Sequence, residues 1–242
     1  MKNFTFSLIL FIFLSGCATI YNPATQRNEF ILIDTESEIA LGKDLDKQIQ
    51  KDFVLLKDKN MQKRLDTIGK KVASASDRQD LTYTFNIIKE DEFNAFAIPG
   101  GFIYVNSGLI NAANDDELAA VLAHEIGHIA ARHSVKRLQA NMGYQLLVNI
   151  ALGKSTSQAI YEAIGITYNI IALGFSRQDE FLADKLSVKY SKAAGFNPYA
   201  MVTFFKKLEN NKKPGMDLVF LSSHPTIKDR IERVEKEIAL NR

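Results

Sequence analysis

The chain has 242 residues, 30 Lys and Arg against 28 Asp and Glu, a formal charge of +2 and 46% hydrophobic residues. That balance fits a folded globular body, excludes a disordered or collagen-like chain, and gives no electrostatic reason to invoke nucleic acid. A single cysteine excludes an internal disulfide framework, and with only four histidines, any special spacing between two of them carries information.

The chain begins with a short basic start, Met1-Lys2-Asn3, then an apolar run from Phe4 to Leu14, then Ser15-Gly16-Cys17. Residues 1–16 read as a secretory signal, too short for a bilayer span of about 20 residues. Leu14-Ser15-Gly16-Cys17 resembles the bacterial lipoprotein box. That resemblance implies lipidation of Cys17, anchoring by more than one acyl chain, and a position on the periplasmic side of the envelope. By the same resemblance, Ala18 in place of aspartate implies the outer membrane rather than the inner, as in enterobacterial lipoproteins. Residues 17–34, with Asn22-Pro23 and mixed polar content, read as the lipidated N-terminus and a tether. Residues 35–242 read as one domain.

Thr35-x-x-Glu38 has the form of a capping box opening a helix, with Ile39, Leu45, Ile49 and Phe53 towards the core. A second helix carries Met61, Leu65, Ile68 and Val72. Residues 82–88 alternate and predict a strand. Asn94 to Ile98, a Pro99-Gly100-Gly101 turn and Phe102 to Asn106 predict strand, turn and strand. A helix is expected at about 115–139, opened by Asn114 as cap with Glu117 as the capping-box acid. Residues 142–174 are apolar and interrupted by glycines. They read as helices packed over the active site, with a lid or a surface touching lipid or outer-membrane protein as alternatives. Ser176-x-x-Asp179 caps a further helix running to Gly195. Asn197-Pro198 restarts one, and Thr226-x-x-Asp229 opens the last. The fold class is α+β, mostly helical, with a small sheet beside the long helix.

His124-Glu125-Ile126-Gly127-His128 carries the chemistry. Positions i and i+4 lie one turn apart on one helix face, so two imidazoles can bind one Zn²⁺ while Glu125 reaches a water at the ion. A catalytic zinc site needs a third protein ligand. Glu180, in the first turn of the helix capped by Ser176, is the preferred candidate and Asp179 the competitor. Asp184, one turn on, can accept a hydrogen bond from a ligating histidine. His133 lies about 140° round the helix from His128 and is not expected on the same ion.

These residues, with Ala131-Arg132-His133, resemble the zinc endopeptidase family of HtpX and the CAAX prenyl endopeptidases, most closely its bacterial periplasmic lipoprotein members. Asn94 to Gly101 with Val105 and Gly108, Glu180-Phe181-Leu182-Ala183-Asp184, and Ser223-His224-Pro225 with Arg230 are similar to further family motifs in the same order. The resemblance implies a zincin-like (gluzincin) fold, one Zn²⁺ per chain on His124, His128 and Glu180, and Glu125 as general base. It implies misfolded or misassembled envelope proteins as substrates and the membrane, through the lipid on Cys17, as the other partner, with no nucleic acid. His224 or Arg230 is expected to stabilise the oxyanion, and His224 could instead close the metal site at rest. Gly101, Phe102, Ile103, Tyr104 and Val105 are expected to form an exposed edge strand that receives substrate. Two rivals are a chaperone or binding module for envelope proteins with structural zinc, and a metallohydrolase acting on non-peptide bonds.

Overall fold

The computed structural model describes residues 19–143, 148–149, 151–154, 157–210 and 227–240. Where the sequence reads a tether, the chain forms a hairpin seated on the domain. Strands β1 (Thr19–Asn22) and β2 (Arg27–Phe30) pair antiparallel, Thr19 opposite Phe30 and Asn22 opposite Arg27. Asn22 Nδ2 donates to Ala130 O at 3.1 Å, and the next apolar residues, Ile31 and Ile33, are buried. Gln139 Oε1 accepts the backbone N–H groups of Leu32 and Ile33. A loose linker would leave those groups in water; here the domain satisfies them. Residues 1–16 and Cys17 lie outside the described residues.

Helix α1 (Thr35–Asp52) is capped one residue earlier than the sequence predicts. Asp34, not Thr35, accepts the free N–H of Ser37. Glu38 is thereby released from capping and turns inward, where Arg78 grips both its oxygens at 3.0 and 2.7 Å. Helix α2 (Lys59–Ala73) follows, its buried stripe Leu65, Ile68 and Val72 as the periodicity predicts.

The main sheet has three strands, β3 (Thr84–Ile88), β4 (Ala95–Ile98) and β5 (Phe102–Asn106), in the order β3-β5-β4. β5 pairs parallel with β3 and antiparallel with β4. It is therefore central, and the expected exposed edge at Gly101, Phe102, Ile103, Tyr104 and Val105 is corrected: Phe102 to Val105 are paired on both sides, and Gly101 belongs to the turn before the strand. Continuous apolar sequence identifies a strand with both faces covered but not its neighbours. One face (Phe85, Ile87, Ile103, Val105) joins the core with α2; the other (Phe96, Ile98, Tyr104) packs towards α1. Pro99–Gly101 forms a 3-10 turn in which Gly100 and Gly101 have φ of 83° and 93°. Those angles suit glycine.

After α3 (Ser107–Ala112), the predicted long helix is two helices, α4 (Asp115–Ala130) and α5 (His133–Asn141). They are separated by Arg132 at φ 55°. Its guanidinium is held by Glu38 at 3.4 Å, Thr35 Oγ1 at 2.8 Å and Ile33 O at 3.3 Å, which offsets the cost of a left-handed arginine. Helix α6 (Ser157–Leu173) packs on α1 and α5. Among the described residues no helix is long and apolar enough to cross a membrane. Helix α7 (Arg177–Ala193) crosses α4, and α8 (Ala200–Asn210) and α9 (Ile227–Leu240) close over that crossing.

Candidate metal centre

The predicted capping box at the start of α4 is present: Asn114 accepts from Glu117 N and Glu117 accepts from Asn114 N. The helix delivers His124, Glu125 and His128 into the interior, all at most 1% exposed. The box predicted at Ser176 and Asp179 starts α7 and sets Glu180 in its first turn. Gly127 lets the two helices meet, since a Cβ there would lie 3.2 Å from Ala183 O and from Leu186 Cβ. Ser187 Oγ donates across the crossing to Ala120 O at 2.8 Å.

Among the described residues, His124, His128 and Glu180 form the cluster of donors able to share one metal ion. Their separations are 3.0 Å between the two Nε2 atoms and 3.5 Å from each Nε2 to a Glu180 oxygen. Tetrahedral ligands at about 2.0–2.1 Å from a metal stand about 3.4 Å apart, so the donor set fits one ion. Asp179, the competing candidate, does not join it.

Each histidine is oriented through its other nitrogen, by different means. His124 Nδ1 lies 2.9 Å from Asp184 Oδ1, as expected. Arg230 grips Asp184 through Nε at 2.8 Å and Nη2 at 2.6 Å, and reaches Glu180 Oε2 through Nη1 at 3.1 Å. Its Cζ lies 4.5 Å from the Phe205 ring centroid. Burial opposes the charge on Asp184, yet Arg230 and His124 keep its carboxyl below the usual range. Burial and Arg230 depress His124, but Asp184 and Glu180 outweigh them and, without an ion, raise it to about 9. These contacts make Arg230 a clamp on the carboxylates of Asp184 and Glu180.

His128 Nδ1 meets His133 Nδ1 at 2.8 Å, and His133 Nε2 faces Asp179 Oδ1 at 3.4 Å. Burial pushes His133 down to about 4, so it is neutral at neutral pH. One tautomer set then fits: His128 Nδ1–H donates to His133 Nδ1, and His133 Nε2–H points to Asp179. Phe175 stacks on the His128 ring at 4.1 Å and 22°. A cavity of about 380 Å³, lined in part by His133, Lys136, Phe175 and Asp179, opens behind this pair. In the structure His133 and Phe175 both stand against the His128 ring, a support that residue spacing alone does not reveal. On an unbroken helix His133 would point away; the turn at Arg132 brings it back. His224 lies outside the described residues.

The model of peptidase family M48 matches residues 59–238. The mitochondrial metalloendopeptidase OMA1 of Schizosaccharomyces pombe is 27% identical over 221 residues, 89% of this chain and 65% of that protein. The beta-barrel assembly-enhancing protease of Escherichia coli K12 is 27% identical over 207 residues, 80% of this chain and 42% of that protein. A crystal structure of S. mikatae Ste24p matches with a TM-score of 0.42 and 18% identity over 79% of this chain and 55% of that one. The chain thus spans less than two thirds of the length of either of these curated relatives. The matched segment contains both histidines, Glu125, Glu180, Asp184 and Arg230, and by that match this chain belongs to peptidase family M48.

Proposed function

We propose that the chain is a zinc-dependent endopeptidase that cleaves misfolded or misassembled proteins of the bacterial cell envelope. The observation that carries the hydrolytic reading is the set of three buried donors at tetrahedral separations with Glu125 beside them. A bound zinc ion supplies Lewis acidity towards water and the scissile carbonyl. The chain's own groups do the rest. His124 and His128, each oriented through its second nitrogen, and Glu180, held by Arg230, fix the place of reaction. Glu125 takes the proton of the attacking water on its carboxylate and returns it to the leaving amine. His224 or Arg230 is the candidate for steadying the oxyanion.

Membership of a peptidase family favours cleavage over the binding-module reading. The envelope assignment draws on the relatives named for β-barrel assembly and on Leu14 to Cys17, with residues 1–16 as signal and Cys17 as the lipidated residue. The test is zinc content and digestion of an unfolded protein, with Glu125→Gln alongside. We expect one zinc per chain in both and a loss of cleavage of at least about a hundredfold in the variant. A variant that still cuts would falsify the role of Glu125, and a wild-type chain that binds zinc without cutting would remove the peptidase reading.

A further inference from the structure

The β1–β2 hairpin has two unlike faces. Ile20, Asn22, Arg27 and Glu29 lie on one, and that face is fastened to the domain: Asn22 holds Ala130 O, and Glu29 pairs with Lys136 of α5. Thr19, Tyr21, Asn28 and Phe30 lie on the other, because directly paired residues share a face. All four are exposed, none is charged, and Tyr21 and Phe30 are each 60% exposed. Outward charge is the usual protection of a small surface sheet, and this face lacks it.

We infer that this face of the hairpin rests on the membrane surface to which the chain is anchored; the inference depends on the lipidation of Cys17 proposed above. Cys17 precedes Thr19 by two residues, and two residues reach at most about 7 Å. An acylated Cys17 therefore holds β1 at the lipid headgroups, with no tether between anchor and domain. Tyr21, an apolar ring with a polar hydroxyl, suits that depth, and Phe30 adds an apolar ring beside it. A second protein fits less well. Two four-residue strands cover on the order of 130 Å², far below the roughly 800 Å² per partner of a stable protein interface. As an addition to an acyl anchor, a contact of that size is sufficient.

The seating also positions the metal centre. Asn22 touches Ala130, two residues beyond His128 on the same helix, so the C-terminal end of α4 faces the membrane at a fixed height. Substrate is then cut where chain emerges close to the bilayer.

The chain contains no tryptophan, so Phe30→Trp or Tyr21→Trp in the full chain gives a single fluorescent reporter. The mature protein is purified from bacterial membranes and reconstituted into phosphatidylethanolamine–phosphatidylglycerol vesicles, plain or with brominated acyl chains. Acylation is read by mass spectrometry and attachment by flotation. We expect an acylated protein that floats, with most of the emission lost on brominated lipid and little lost to aqueous iodide. An acylated, floating protein whose emission is unchanged by brominated lipid and open to iodide overturns the contact while leaving the anchor intact. Emission shielded from iodide but unaffected by bromine assigns the face to a protein and also overturns it. A mature chain that carries no acyl mass and stays soluble removes the anchor reading, and this inference with it.

Discussion

The two histidines of the candidate metal centre are held by opposite kinds of chemistry. Behind His124 stands a buried, charged clamp of Asp184 and Arg230, sealed by Phe205. Behind His128 stands a neutral relay, His133, that ends on the partly exposed Asp179 beside a cavity, with Phe175 stacked on the ring. Both arrangements direct Nε2 to the shared point, but they differ in cost. The clamp is rigid and intolerant of loss, because removing one partner strands a charge in the interior. The relay can lose its outer member to water.

The largest effect that sharpens this contrast is expected at Arg230. Arg230→Ala leaves Asp184 and Glu180 buried without their counter-charge, a loss of about 3–5 kcal/mol that urea denaturation would record as a collapsed midpoint or an unfolded chain. A wild-type midpoint would show that the clamp contributes nothing. Next comes metal affinity, measured by competition with a chromophoric chelator. Asp184→Asn should weaken binding about 10–100-fold, and Asp179→Asn by less than about tenfold. The reverse order would break the comparison. His133→Leu should cost about tenfold, and His133→Asn, which keeps a polar atom towards His128, should recover part of it.

The smallest effect is electrostatic and concerns the metal-free chain. His133, held at about 4 against an unfolded value of about 6.5, refuses a proton that the unfolded chain accepts. Its contribution is intact above pH 6.5 and is lost as pH falls towards 4. His124, raised to about 9, has the opposite sign: its contribution is intact below about 6.5 and fades as pH rises through 9. Imidazole ¹⁵N shifts of chelator-treated protein at pH 7.5 should show a protonated His124 and a neutral His133. Identical titration of the two rings would erase the distinction.

Much of this was legible in the sequence because it is local. The spacing of His124 and His128, the box at Asn114 and Glu117 and the cap at Ser176 are settled within a few residues, and the structure keeps each. Glu180 needed more than spacing, since 52 residues separate it from His128 and only the α4–α7 crossing brings them together. What escaped depends on distant partners. The central place of β5 is decided by β3, whose pairing with it is parallel. The break at Arg132 has no glycine or proline to announce it, because contacts from Glu38, Thr35 and Ile33 stabilise it. The hairpin at 19–30 looks like a tether in the sequence because its short, polar strands are ordered mainly by α4 and α5.

The left-handed turn at Arg132 limits how portable the histidine motif is. Grafting residues 114–130 onto a new scaffold would transfer both imidazoles and Glu125 but leave the His128 ring free to swivel. A working transplant has to extend through His133 and must also import Glu38, whose carboxylate, 3.4 Å from Arg132, helps hold the bend. The smallest unit that a designer could borrow is therefore several elements contributed by separate stretches of chain.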